Sequence, residues 1–197
     1  MNFKITDIYA GKNHNIIYGQ IRDPNAVLNK EGEEKTEENK GEIIFTWGDN
    51  SCGQLGLGTS VNKVDVPTEV TTFNGINTQA DPKLNKEIAS ISGGANSSYV
   101  LFADGELYGF GDNKCKQISL ENANFYNKPY LINYSFLKEN NEQIADLLTA
   151  ANSILAITDK NTMILQGLIA QGQIKTNKLN YFGCNRLSFR CNVNISY

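Results

Sequence analysis

The chain has 197 residues, 20% of them charged, with 18 basic side chains against 21 acidic ones and a formal net charge of −3. That balance supplies no positive field to attract nucleic acid or an anionic membrane, so direct nucleic-acid binding is not expected. The opening MNFKITDIYAGKN holds no apolar run of signal length, and nothing approaches a membrane span, so the expected setting is intracellular, cytoplasmic or nuclear.

In chain order, the first apolar segment begins at Ile5 (ITDIYAGKNHNIIY) and contains Gly11, Asn13 and His14. An insertion over 19–42 follows, and its centre from Lys30 to Lys40 holds five glutamates and three lysines with no apolar residue. Such a segment buries too little surface to offset its ordering entropy and is expected to be a mobile loop. The chain resumes with IIFTWGDN at Ile43, runs through a glycine-rich stretch to Gly58, and offers a candidate fourth strand from Pro67 to Phe73. A second insertion spans Asn74 to Asn85.

Beyond it, Ala89 to Gly111 aligns with Ala145 to Gly167 without a gap, at a constant offset of 56 (89 to 145, 111 to 167). Ala95-Asn96-Ser97 over Ala151-Asn152-Ser153 fixes the register; Gly11 and Asn13 match Gly94 and Asn96, and IIFTWGDN lies over ELYGFGDN. Asp104-Gly105 between two apolar runs is a hairpin signal, and no window sustains a 3.6-residue apolar period, so helices should be few. A period of about 50 residues points to a solenoid or a propeller. Three short strands per unit, plus a fourth at Pro67 to Phe73 and at Pro129 to Tyr134, make propeller blades. The expected fold is all-β, an incomplete β-propeller of about three four-stranded antiparallel blades in a single domain, 1–197. Repeat 1 covers 3–73, repeat 2 covers 86–134, repeat 3 covers 142–175, and 176–197 is a degenerate tail.

A glycine directly after a strand-end aromatic, as at Trp47-Gly48 and Phe110-Gly111, allows a turn or close approach that a Cβ would block. Gln54, between Gly53 and Gly56, carries an amide able to bridge neighbouring backbone. Gly53-x-x-Gly56-x-Gly58 is neither a dinucleotide fingerprint nor a P-loop, so no cofactor is expected. The four cysteines, Cys52, Cys115, Cys184 and Cys191, form no Cys-x-x-Cys pair, and one histidine completes no zinc set, so no metal is expected and the thiols read as small buried side chains. His14 gives way to Ser97 and Ser153 in the other copies, which points to packing rather than chemistry. No nucleophile has a neighbouring base at a local motif spacing, so no catalytic residue is assigned and an enzyme is not expected.

The order Ile-x-x-Ile-x-x-Gly-x-x-His from Ile5 to His14, then aromatic-x-Trp-Gly-x-Asn-x-x-Gly-Gln-Leu-Gly-x-Gly from Phe45 to Gly58, then Pro67 and Val70, resembles the repeat of the regulator of chromosome condensation family. The resemblance runs over about 3–175. It is close in the first copy; the second has Lys116 and Ser119 in place of Gly53 and Gly56, and the third keeps Gly167, Gly172, Gln173 and Ile174. It assigns Gly11, His14, Trp47, Gly48, Asn50, Gly53, Gln54, Gly56, Gly94, Gly111 and Gly167 to a structural repeat motif.

The family's propeller is a closed ring of seven blades, which implies that a chain with about three repeats of some 50 residues is a piece of a longer protein or a shortened relative that docks on a partner or on itself; the worn third copy and tail favour the former. The resemblance implies a protein-interaction scaffold with a protein partner. The alternative it implies is guanine-nucleotide exchange on a Ran-type small GTPase, the founding member's activity. Chromatin binding in that member resembles the work of a basic tail, which this chain lacks.

Overall fold

In the computed structural model, which describes residues 2–22, 42–73, 86–168 and 179–182, the chain forms three four-stranded sheets with neighbours in sequence order. Blade 1 comprises β1 (Asn2–Ala10), β2 (His14–Arg22), β3 (Glu42–Asp49) and β4 (Lys63–Glu69). Blade 2 comprises β5 (Ile88–Gly93), β6 (Ser97–Phe102), β7 (Leu107–Asp112) and β8 (Phe125–Ile132). A five-residue helix, α1 (Ser135–Glu139), leads to blade 3, made of β9 (Ile144–Ala150), β10 (Ser153–Thr158), β11 (Met163–Gly167) and β12 (Leu179–Phe182). The architecture is an incomplete β-propeller of three blades, nearly all β.

Alternation along the strands builds the core between the sheets rather than within one. On β6, Val100 and Phe102 join a cluster with Ile16, Tyr18 and Ile44 of blade 1, while Tyr99 and Leu101 join Ile154, Ala156 and Ile164 of blade 3. Successive side chains point to opposite faces of a strand, so the middle blade buries both; every residue of β6 and β7 is buried. Phe73 follows β4 and inserts edge-on among Phe102, Tyr108 and Phe110, with centroids 5.9, 5.5 and 6.5 Å away. Each such aromatic contributes about 1.5–3 kcal/mol by burial, and the set ties the end of blade 1 to blade 2.

The outer strands begin earlier than expected: β4 starts at Lys63 and β8 at Phe125, ahead of Pro67 and Pro129. Both prolines lie in strand irregularities at equivalent places, between the pairs Gly48↔Val64 and Thr46↔Thr68 in one blade and Gly111↔Tyr126 and Gly109↔Tyr130 in the other. Proline donates no ladder hydrogen bond, so it sits in a bulge of an edge strand.

The expectation of uniformly antiparallel blades fails in blade 3, where β12 pairs parallel to β11. The three earlier strands of that blade are antiparallel, and β12 falls within the stretch read as a tail. The acidic insertion is also shorter than 19–42, because residues through Arg22 continue β2 and Glu42 opens β3. Its charged centre, the second insertion over 74–85, Gly172, Gln173, Ile174, Cys184 and Cys191 lie outside the described residues.

Candidate interaction site at the blade junctions

The loops after the third strands of blades 1 and 2 are each tied together by buried amide side chains. In blade 1, Asn50 Nδ2 donates to Val61 O at 2.7 Å and its Oδ1 accepts from Leu55 N at 3.1 Å. Gln54 Oε1 accepts from Cys52 N at 2.9 Å, and Gln54 Nε2 donates to the Asp49 carboxylate at 2.9 Å. Asn50 and Gln54 are buried, so these bonds satisfy amides that would otherwise lose about 1–3 kcal/mol each.

Blade 2 repeats the arrangement. Asn113 Nδ2 donates to Ser119 O and Ala123 O, its Oδ1 accepts from Ile118 N and Ser119 N, and Gln117 Oε1 accepts from Cys115 N. Asn113 and Gln117 escaped the motif assignment although each stands 63 residues after Asn50 and Gln54, the offset that places Gly111 over Gly48. Cys52 and Cys115 are half-buried rather than buried, because they sit at the rim of these loops.

Gly48, Gly111 and Gly167 lie at or one residue before the ends of the third strands with φ of 108°, 107° and 109°, and each pairs with the first residue of the second strand: His14, Ser97 and Ser153. A Cβ at these glycines would lie 2.4, 2.4 and 2.3 Å from the carbonyl oxygens of Asn13, Asn96 and Asn152. The same oxygens accept from Asp49 N, Asp112 N and Leu168 N at 2.8, 2.8 and 2.9 Å. The chain therefore turns off the strand at a point where a side chain would displace the bond that fixes the turn.

The junction of blades 1 and 2 centres on His14. Its Nε2 lies 2.9 Å from Ser98 Oγ, and Ser98 donates its hydroxyl hydrogen to Gln54 O at 2.8 Å. With that hydrogen committed, His14 donates from Nε2 and carries its lone pair on Nδ1, which is buried without a partner. Burial lowers the imidazole to about 4 against the opposing pull of Asp49, so the ring is neutral at pH 7. Gly11 leaves the space the ring fills, since a Cβ there would sit 2.1 Å from its Cε1. Its partner serine is itself buried and commits its hydroxyl hydrogen to Gln54 O.

The remaining motif residues face the neighbouring blade or the open side. A Cβ at Gly53 would sit 2.7 Å from Asn127 Cα of the bulge in β8, one at Gly56 would meet the Phe110 ring at 2.9 Å, and one at Gly94 would meet Ala151 O at 2.7 Å. The turns between first and second strands are linked by backbone bonds, Lys12 N to Ala95 O at 3.3 Å and Ala95 N to Ala151 O at 2.8 Å. Trp47 is half-buried on β3, on the face of blade 1 turned away from blade 2. That face also carries Phe3, set edge-on against Phe45 at 5.2 Å, and leaves Ile5 and Ile8 53% and 59% exposed. Among the described residues no group of three or more His, Cys, Asp or Glu is placed to hold a metal, and no helix is long and apolar enough to cross a membrane.

Comparison with known proteins agrees with this geometry. The family described as the regulator of chromosome condensation (RCC1) repeat matches residues 43–101, and a second profile of the same description matches 88–117. The human probable E3 ubiquitin-protein ligase HERC4 is 26% identical over 142 residues, 72% of this chain and 12% of that protein. The X-linked retinitis pigmentosa GTPase regulator of Canis lupus familiaris is 37% identical over 84 residues, 43% of this chain and 7% of that protein. Prp20p of Saccharomyces cerevisiae, a protein characterised for its binding to Gsp1p and histones, superposes with a TM-score of 0.57 at 20% identity over 84% of this chain and 32% of its own. The chain thus spans 12% or less of the length of these two curated relatives.

Proposed function

Because the chain belongs to the regulator of chromosome condensation repeat family, we propose that it is a protein-interaction scaffold that receives its partner on the outer face of blade 1. One observation carries this: blade 2 buries both of its faces against neighbours, whereas the equivalent outward face of blade 1 leaves Ile5 and Ile8 exposed beside Phe3, Phe45 and Trp47. An apolar face rimmed by polar strand ends suits a protein partner or a further blade of the same kind in a longer polypeptide. The setting we propose is intracellular, cytoplasmic or nuclear, in keeping with the free thiol of Cys52.

The test compares proteins captured by the chain with those captured by Ile5→Glu/Ile8→Glu. Selective loss of specific proteins with the variant supports the proposal, and identical sets overturn it. Guanine-nucleotide exchange on a Ran-type small GTPase is the second reading, supported by the GTPase regulator among its relatives and by the Gsp1p binding of Prp20p. A nucleotide-release assay with such a GTPase separates the two: accelerated release in the presence of the chain supports exchange, and an unchanged rate leaves the scaffold.

A further inference from the structure

Among the departures of blade 2 from blade 1, one set lies along the outer strand and the loop before it. Where blade 1 has Gly58, Val64, Thr68 and Thr72, blade 2 has Glu121, Tyr126, Tyr130 and Tyr134; the pairings of Val64 with Gly48 and Tyr126 with Gly111, and of Thr68 with Thr46 and Tyr130 with Gly109, fix the equivalence. Three of them, Glu121, Tyr130 and Tyr134, line a half-open pocket of about 230 Å³ between the outer strand of blade 2, α1 and blade 3, walled also by Leu120 and Phe136, with Ser119, Asn133, Ser135 and Gln166 as further polar lining. That is smaller than the roughly 300 Å³ at which drug-sized ligand sites begin, and it fits one side chain.

The pocket is built rather than incidental. Tyr126 and Tyr130 donate their phenols to the two carboxylate oxygens of Glu121 at 3.3 and 3.1 Å, and their rings lie 4.4 Å apart. Ser119 Oγ donates to Tyr130 OH at 3.4 Å, and Tyr134 donates to the buried Gln166 Oε1 at 2.8 Å. A single carboxylate is thus oriented at the edge of an aromatic wall.

Aromatic faces attract a cation, and a carboxylate beside them supplies the countercharge while the wall covers an aliphatic stem. A phosphate would meet the carboxylate, and a wholly apolar side chain would desolvate it without compensation. The first junction already holds a side chain of this chemistry at the matching position: the stem of Lys128 from blade 2 runs across Gly58, its Cε 2.8 Å from where a Cβ would stand. We propose that the pocket at Glu121 receives the alkylammonium side chain of a lysine presented by a partner protein, with its methylenes against Tyr130, Tyr134 and Phe136 and its ammonium on the Glu121 carboxylate. This site is distinct from the outer face of blade 1, so lost capture by the Ile5→Glu/Ile8→Glu variant and lost lysine discrimination are separate readouts.

The probe is an acetylated, amidated pentapeptide with one central lysine between glycines, titrated by NMR against the same peptide carrying norleucine, which keeps the stem and removes the charge. The expected result is at least tenfold tighter binding of the lysine peptide at low salt, with shifts at Tyr130 and Phe136; the preference disappears in Glu121→Gln and falls in Leu120→Lys, which sets a like charge at the exposed rim. Melting temperatures of both variants verify the fold. Equal binding of the two peptides, no binding of the lysine peptide, or a preference that survives in folded Glu121→Gln would overturn the proposal.

Discussion

His14 Nε2 and Ser98 Oγ lie 2.9 Å apart across the junction of blades 1 and 2, although 84 positions separate them in the chain. The serine passes the contact on to Gln54 O, so one hydroxyl joins the second strand of each blade to the loop that closes the first. Ser98→Ala removes both bonds and leaves the His14 N–H and the Gln54 carbonyl buried without partners. The expected loss is about 2–6 kcal/mol, two unsatisfied groups at about 1–3 each, read by urea denaturation; a midpoint unchanged from the parent would remove this junction from the stability account.

His14 also makes stability depend on pH. Burial holds the folded imidazole at about 4, below its ordinary value of 6.5, so the unfolded chain takes up the proton first as the pH falls. Stability from this group is complete above pH 6.5, declines between 6.5 and about 4, and changes no further below. The full effect is about 3 kcal/mol, since each tenfold difference in proton affinity between the folded and unfolded chain is worth roughly 1.4 kcal/mol. His14→Gln should flatten the slope of unfolding free energy in that window, and a variant whose slope matches the parent's would contradict the assignment.

Gly48→Val forces a β-branched residue into a left-handed φ of 108° and drives its Cβ toward Asn13 O at 2.4 Å. Backbone strain and overpacking each contribute about 1–3 kcal/mol, so a loss of about 2–5 kcal/mol is expected. Gly111→Val and Gly167→Val should behave alike because their φ and contacts match. Thermal unfolding of the three variants checks the equivalence, which unequal losses at Gly48 and Gly111 would break.

Lys116 stands where blade 1 has Gly53 and adopts the same left-handed conformation, φ 61° against 79°. Its ammonium donates a bond to Glu121 O at 2.8 Å. Lys116→Gly relieves about 1 kcal/mol of strain and returns part of it as unfolded-chain entropy, for a net gain of about 0.5 kcal/mol. A lower melting temperature in the variant would show that the lysine contact outweighs the strain.

The glycines and amides that make these loops are visible in the chain because each is a local requirement. Gly48 and Gly111 lie one residue before the ends of strands that must turn left-handed, and Asn50 and Gln54 bond within residues of themselves. Lys116 is the exception: it breaks the glycine pattern, yet the Asn113 and Gln117 bonds on either side hold the turn in the shape that glycine would have taken. Ser98 carries no such signal, for the opposite reason. Nothing local distinguishes it from Ser97, and its partners belong to another blade.

The sequence by itself determined the repeat, the three blades and the antiparallel order within the first two, since strand alternation, turn glycines and the recurring Gly-Asp-Asn are set by neighbours a few residues away. The tertiary structure decided what depends on long-range contact: the parallel pairing of β12, the burial of both faces of blade 2 against one exposed face of blade 1, the neutral His14 at the junction, and the meeting of Glu121 with three tyrosines and Phe136. Repeat positions tell which residues are equivalent along the chain. Which of them touch is fixed only when one sheet packs against the next.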